Sequence, residues 1–394
     1  MPSPASLADL VNRLSARQDA MVDLLGALVT SESPSDDPAL LAATTDLVAE
    51  RGQALLGRAP ERLATTGAPA LRWSLPPTPD VADDVGDAVR PVVLLAHLDT
   101  VWPAGTTERW PFSVEGDHAT GPGTFDMKAG LVQALFALAE LDDSGLAHPE
   151  VVLLVTADEE IGSPAGRALV EDAAQGARAV LVLEASAPCG ALKVARKGVG
   201  NYWLHVTGRA AHAGLEPELG VNALVAAAGL VLELAGLADA AAGTTVTPTL
   251  ARAGSAQNTV PASASVAVDV RAASTAEQTR VDDALRALTV EGGATVRVEG
   301  GINRPPLEEA LATDLLALAR RAAAGCGLAP PDAARVGGGS DGNFTAALGV
   351  PTLDGLGAVG GGAHAEGEHV LVSTMPERAA LLAALVVELA EDQA

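Results

Sequence analysis

Three stretches of the chain are apolar without interruption and of strand length: PVVLLAHLD (91–99), EVVLLVTADEE (150–160) and ARAVLVLEAS (177–186). Strands that are apolar throughout, rather than alternately, belong to a sheet covered on both faces. The intervals between them fit helices, one of which is predicted over 128–141. Ahead of this region, residues 5–30 repeat apolar positions at three- and four-residue steps and predict an amphipathic helix. A second helix is predicted over 38–56, and PPTPDVADDVGDAVRP (76–91) reads as a loop from its Pro and Asp content.

The texture changes near residue 199. NYWLHVTG alternates, a long Ala/Leu helix follows (222–239), and TVTPTLARAG and SASVAVDVRA read as strands. AEQTRVDDALRAL then predicts a helix and ATVRVEG a last strand, a βαββαβ unit of one sheet and two helices. After about 304 the first texture returns, with a helix at 307–325, a Gly-rich loop and an amphipathic helix at 376–391. The pattern predicts an α/β domain with a central, mostly parallel sheet, discontinuous over 1–198 and 304–394. An α+β domain is inserted at 199–303. No internal repeat is visible.

Composition narrows the functions. The chain has 394 residues, 48% of them hydrophobic, too many for a disordered acidic protein. Its 50 acidic against 25 basic residues give a net charge of −25, which repels phosphate backbones and anionic lipid. Aromatics at 2% leave few platforms for stacking bases. Neither nucleic acid nor membrane is an expected partner. No segment reaches the ~20 apolar residues of a membrane span. The N-terminal MPSPASLADLVNRLSARQDAMVDLL mixes charges with apolar residues, unlike a signal peptide. Two cysteines, Cys189 and Cys326, make no disulfide framework and fit a reducing compartment. The expectation is a cytoplasmic protein.

The strands of the first domain end in ionisable residues. His97 and Asp99 follow PVVLLA, Glu159 and Glu160 follow VVLLVTAD, and Glu184 follows VLVL. Parallel sheets bind ligands outside the carboxyl ends of their strands. Asp126 sits in TGPGTFDMKAG, where Gly-rich backbone leads into a helix, and His364 in GGGAHAEGEHV. Any one of these could be a helix cap or ion-pair partner. Several like charges brought together are costly unless cations neutralise them. Imidazole and carboxylate without thiolate suit Zn²⁺, with Mn²⁺ or Co²⁺ as alternatives.

Taken in order, HLDTVW, GPGTFDMKAG, TADEEIGS, VLEAS and GGGAHAEGEHV resemble the motifs of the M20 family of dinuclear zinc peptidases and deacylases, over nearly the whole chain. That family holds aminoacylase, acetylornithine deacetylase and glutamate carboxypeptidase. The resemblance implies a zinc-peptidase-like catalytic domain with two Zn²⁺ per subunit, Asp126 bridging them. His97 and Glu184 would complete one ion's site, Glu160 and His364 the other's. Glu159 would be the general base for a metal-bridging hydroxide that attacks an amide carbonyl, and Asp99 would orient His97. The inserted domain resembles the family's dimerisation domain through KGVGNYWLHVTGRAAHAGLEPELGVNA and AQNTVPASASVAVDVRA. This implies a homodimer in which His212 reaches the partner's site, while Asn258 and Arg271 hold a substrate carboxylate.

GGGSDGN (337–343) resembles the loop of the glutamate carboxypeptidase branch whose backbone N–H groups meet the substrate carboxylate, which places Gly338, Gly339 and Ser340 there. Arg304 lies where that branch has an arginine near the glutamyl pocket. The expected substrate is an N-acyl amino acid or short peptide ending in an acidic residue, glutamate foremost. The nearest competitor is an N-acyl-amino-acid deacylase releasing a neutral amino acid. A serine hydrolase is the rival from another class, because Gly338-Gly339-Ser340-Asp341-Gly342 satisfies G-x-S-x-G, with Asp354 and His364 after it. It lacks the buried strand that a nucleophile elbow needs, since PPDAARV is short and polar. A non-catalytic binding member of the fold would have lost a ligand or Glu159, and all are present. Of the other histidines, His118 and His148 are expected in polar loops, His205 in a structural strand position and His369 beside the site.

Overall fold

The computed structural model describes residues 6–82 and 90–391. The chain divides into two compact units, one formed by Met1–Ala195, Glu309–Val336 and Ser340–Ala394, the other by Arg196–Glu308 with Gly337–Gly339.

The first unit is built on a six-stranded sheet in the order Glu61–Leu63, Ala70–Leu75, Val151–Thr156, Val92–His97, Ala179–Val182, Thr352–Leu353. The last four run parallel, with His97 paired to Thr156 and Leu95 to Val182. The first two are antiparallel additions, absent from the sequence expectation because ALRWSL carries Arg and Ser among its apolar residues. Successive residues of the central strand serve opposite faces. Val92 and Leu94 join a large core with the surrounding helices, while Val93 and Leu95 pack with Val170, Ala174 and Phe344 on the other side. Continuous apolar strands have this two-sided burial as their cause.

Helix Ala129–Ser144 is buried along almost its whole length. Gly130 allows that, because a Cβ there would run into the Leu183 carbonyl. The helix expected over 5–30 is two, Leu7–Ser15 and Gln18–Thr30. The break at Ala16–Arg17 lets the first pack on the C-terminal helix Met375–Glu391 and the second on Ala129–Ser144. The helix expected over 307–325 begins only at Thr313, after a 3₁₀ turn at Glu309–Leu311. In the expected loop 76–91, Pro79–Ala82 makes one helical turn and 83–89 lie outside the described residues. A second small sheet, not foreseen, joins Ser113–Glu115, His118–Thr120, Gly360–Gly361 and His369–Leu371.

The second unit is a four-stranded antiparallel sheet in the order Thr245–Ala253, Ser263–Ala272, Gly198–Thr207, Thr295–Arg304. Helices Ala223–Ala235 and Thr275–Arg286 pack on it, and its core is Tyr202, Leu204, Val206, Val266, Val268, Leu230, Leu234 and Val281. Asn222 caps the first helix by accepting from Leu224 and Val225 N–H, and the helix stops at Gly236, short of the expected 239.

Candidate metal centre

The parallel strands of the first unit bring their carboxyl ends together, and the ionisable residues sit there. His97 is the last residue of its strand, the 3₁₀ turn Glu159–Ile161 follows the next, and Glu184 lies two residues beyond the third. Asp126 reaches the same place from the loop before helix Ala129–Ser144, and His364 from a loop near the C-terminus, in a left-handed backbone conformation (φ 61°).

The two oxygens of Asp126 face different partners. Oδ1 lies 3.5 Å from His97 Nε2, which is itself 3.5 Å from Glu184 Oε1. Oδ2 lies 3.2 Å from His364 Nε2, which is 3.4 Å from Glu160 Oε2. Ligand atoms held tetrahedrally at about 2.0 Å from one ion stand about 3.3 Å apart. Most of these separations are therefore long for a hydrogen bond and right for shared coordination. Ligand atoms of His97, Asp126 and Glu160, and of His97, Glu159 and Glu184, also converge within 4.8 Å. Buried His97 Nε2 and Glu160 Oε1 have no hydrogen-bond partner among the described residues. Orphaned buried atoms of this kind are ones a cation would satisfy. The donor set thus fits two divalent ions.

The imidazoles and carboxylates of the cluster shift one another's protonation. Burial opposes charge on His97, yet Asp126, Asp99 and Glu184 raise its imidazole well above the ordinary value. His364 is pushed up to about 10 by Asp126 and Glu160. Burial would raise Asp126, but His364 and His97 outweigh it and lower its carboxyl. Glu160 goes up, chiefly through burial.

Asp99, fully buried, organises two ligand-bearing segments. Its Oδ1 lies 3.3 Å from His97 Nδ1, and the Asp99 carbonyl is 3.1 Å from the same nitrogen. Its carboxylate also accepts the N–H of Glu159 and Glu160, at 3.2 Å each, and the Ser35 hydroxyl at 2.7 Å. Glu159 is buried. Sequence reasoning missed Glu368. It is fully buried and accepts N–H groups from Gly123, Phe125 and Asp126 and from the Trp102 indole. The signal was present, because a Gly-rich turn with φ of 72° at Gly123 lines up N–H groups for an anion. Lys128, also buried and unforeseen, donates to the Leu28 and Ser31 carbonyls.

The remaining candidates separate. Ser340 is fully buried, its hydroxyl donates to Asp354 at 2.6 Å, and its N–H donates to Asn343. Hydroxyl and amide are thus both engaged inside the fold. No Ser-Asp-His relay forms, because Ser340 meets Asp354 directly and His364 faces Asp126 and Glu160. In the second unit, exposed His212 accepts the N–H of Gly214 and Leu215 at Nδ1, leaving Nε2 as the donor. Arg271 forks onto Asp269 at 2.9 Å. Asn258 is exposed and its carbonyl accepts from Ala213. Arg304 is buried at a strand end, and the carbonyls of Gly338 and Gly339 accept from Arg196 at 3.2 Å. His148, expected in a polar loop, is buried with Nδ1 on the Pro149 carbonyl, and His118 lies in the small sheet beside His369.

A model of the peptidase family M20/M25/M40 matches residues 93–388. Carboxypeptidase G2 of Pseudomonas sp. (strain RS-16) is 35% identical over 311 residues, covering 76% of this chain and 74% of that protein. Among solved structures, aminopeptidase PepT of Bacillus cereus ATCC 10987 superposes with a TM-score of 0.75 at 24% identity, covering 95% of this chain and 99% of that one. The YXEP protein of Bacillus subtilis, described as a dinuclear metal binding peptidase, superposes with a TM-score of 0.70 at 16% identity, covering 96% and 99%.

Proposed function

The chain belongs to peptidase family M20/M25/M40, and from that premise we propose a two-ion amide hydrolase that cleaves the bond to a C-terminal amino acid, glutamate foremost, in N-acyl or peptidyl substrates. The observation that carries the two-ion reading is Asp126, whose oxygens face His97 with Glu184 on one side and His364 with Glu160 on the other. Zinc suits this set of imidazole and carboxylate donors, with Mn²⁺ or Co²⁺ as substitutes. Two such ions supply a Lewis acid and lower the pKa of a nearby water toward ~7.

The chain's own residues do the rest. Asp99 accepts the Nδ1–H of His97, so that Nε2 is the ligand atom. Glu159, buried beside His97 and Glu184, takes the proton of the attacking water and returns it to the leaving amine. His212 uses its Nε2–H to stabilise the oxyanion in the partner's site. Arg271, its fork preset by Asp269, binds the substrate's terminal carboxylate with Asn258, and Arg304 lies near the glutamyl pocket. Gly338 and Gly339 contribute backbone N–H groups. Support for the carboxypeptidase preference comes from the similarity to carboxypeptidase G2. Support for a homodimer comes from exposed Leu224, Val225 and Leu232 on one helix of the second unit. Unpaired Cys189 and Cys326 agree with a reducing compartment.

The test is chelation and metal readdition over a panel of acyl-Glu, acyl-Asp, acyl-Leu and acyl-ornithine. The reading predicts loss on chelation, recovery with Zn²⁺, and acyl-Glu turned over fastest. Activity that survives chelation contradicts the mechanism, and a preference for acyl-Leu transfers the assignment to a neutral-product deacylase.

A further inference from the structure

We propose that Glu368 is a positioning residue that sets the spacing between Asp126 and His364, and with it the ion site that these two share with Glu160. The inference rests on the two-ion reading above. Glu368 lies four residues beyond His364, on the same loop, and Glu368 N–H donates to the Ala365 carbonyl, so the two side chains leave one compact turn. From there both of its carboxylate oxygens reach the Asp126 loop. Oε1 accepts from Phe125 N–H at 2.7 Å and from Asp126 N–H at 2.9 Å. Oε2 accepts from Gly123 N–H at 3.1 Å and from the Trp102 indole at 2.9 Å.

No solvent reaches this carboxylate, and it is the acceptor these four donors meet among the described residues. Three of the four belong to the segment ending at Asp126, and one is Asp126's own amide. Asp126 must keep Oδ1 toward His97 and Oδ2 toward His364 at once. A small rotation of its backbone withdraws one oxygen from its partner. Glu368 ties that backbone to the turn carrying His364, whose other contacts are looser, since its side chain is half exposed. The His97 side is fixed independently, by the strand and by Asp99. Disturbing Glu368 therefore affects the two ions unequally.

The isosteric Glu368→Gln puts an NH₂ where an oxygen accepts two N–H groups. Metal-free protein is titrated with Co²⁺, following visible absorption and competition with a chromophoric chelator. Wild type taking fewer than two ions defeats the two-ion reading itself, which separates that failure from this one. Given two ions in the wild type, Glu368→Gln is expected to keep one near wild-type affinity and to bind the other about 10- to 100-fold more weakly, even where the melt of the metal-free protein falls because the N–H groups facing the new NH₂ lose their acceptor. A purely structural role would lower the melt without dividing the sites. Two ions at wild-type affinities, or both weakened alike, overturn the proposal. Should Glu368→Gln not fold, Glu368→Asp decides the matter. It keeps the charge one methylene short, and a selective loss at one ion supports the assignment while full wild-type affinity overturns it.

Discussion

In the unit built on the mixed sheet, Asp99, Glu159, Glu184, Glu368 and His97 are all nearly solvent-free and lie around one loop cluster. In the inserted unit the ionic contacts are at the surface instead: Arg280 with Glu277, Arg286 with Asp282, and Arg297 with Glu299. Surface pairs contribute about 0–1 kcal/mol each and ask nothing of their surroundings. Buried like charges are tolerated only with something to neutralise them. In the first unit the acids and histidines of the candidate site are thus buried together, at the carboxyl ends of parallel strands. What the inserted unit leaves uncovered is apolar, with Leu215, Leu224, Val225, Leu232 and Leu250 exposed.

The contrast can be broken at several points. Glu159→Ala should lower kcat by about 10²- to 10⁴-fold, the range of general acid–base catalysis, while two ions stay bound by elemental analysis. Substantial residual activity removes Glu159 from proton transfer. Leu94→Ala, in the fully buried central strand, should cost about 2–5 kcal/mol in denaturant unfolding. Leu232→Ala, 78% exposed, should change the stability of the monomer by no more than about 0.5 kcal/mol, and Leu232→Glu should shift the sedimentation profile from dimer toward monomer. A profile unmoved by Leu232→Glu would take that helix out of the interface.

Protons give a finer probe. His97 and His364 are both raised in the metal-free protein, His364 to about 10. His364 is then protonated at pH 7 and His97 is shifted toward its protonated form, whereas ligation requires both neutral. Metal uptake at pH 7 should release protons, measurable by calorimetry in buffers of different ionisation enthalpy, and apparent affinity should rise with pH. In the metal-free state the linkage runs the other way. The raised imidazoles stabilise the fold fully below the unfolded value of ~6.5 and lose that contribution as pH climbs through about 10 at His364. Uptake without proton release would mean the imidazoles are not the ligands.

Much of this was legible in the sequence, for identifiable reasons. The three apolar runs announced the parallel strands because two-sided burial leaves no polar position, and strand ends are where chemistry collects. The antiparallel strand Ala70–Leu75 was not legible, since Arg72 and Ser74 break its apolar run. Helix 5–30 concealed its break because Ala16 and Arg17 are good helix formers, and only the different packing partners of the two halves separate them. The G-x-S-x-G match at Ser340 was already discounted in the sequence for want of a buried strand before it, and the burial of its hydroxyl against Asp354 is a tertiary fact no spacing records. Glu368 lay in a motif already noted for His364, but its role depends on a loop some 240 residues earlier.

The most direct test of the central claim is the number of ions bound per chain, by equilibrium titration of the metal-free protein, in wild type and in three variants. If Asp126 is shared between two sites, wild type binds two ions, His97→Ala and His364→Ala each keep one tight ion, and Asp126→Ala weakens both together. Asp126→Ala retaining either ion at wild-type affinity would contradict the account.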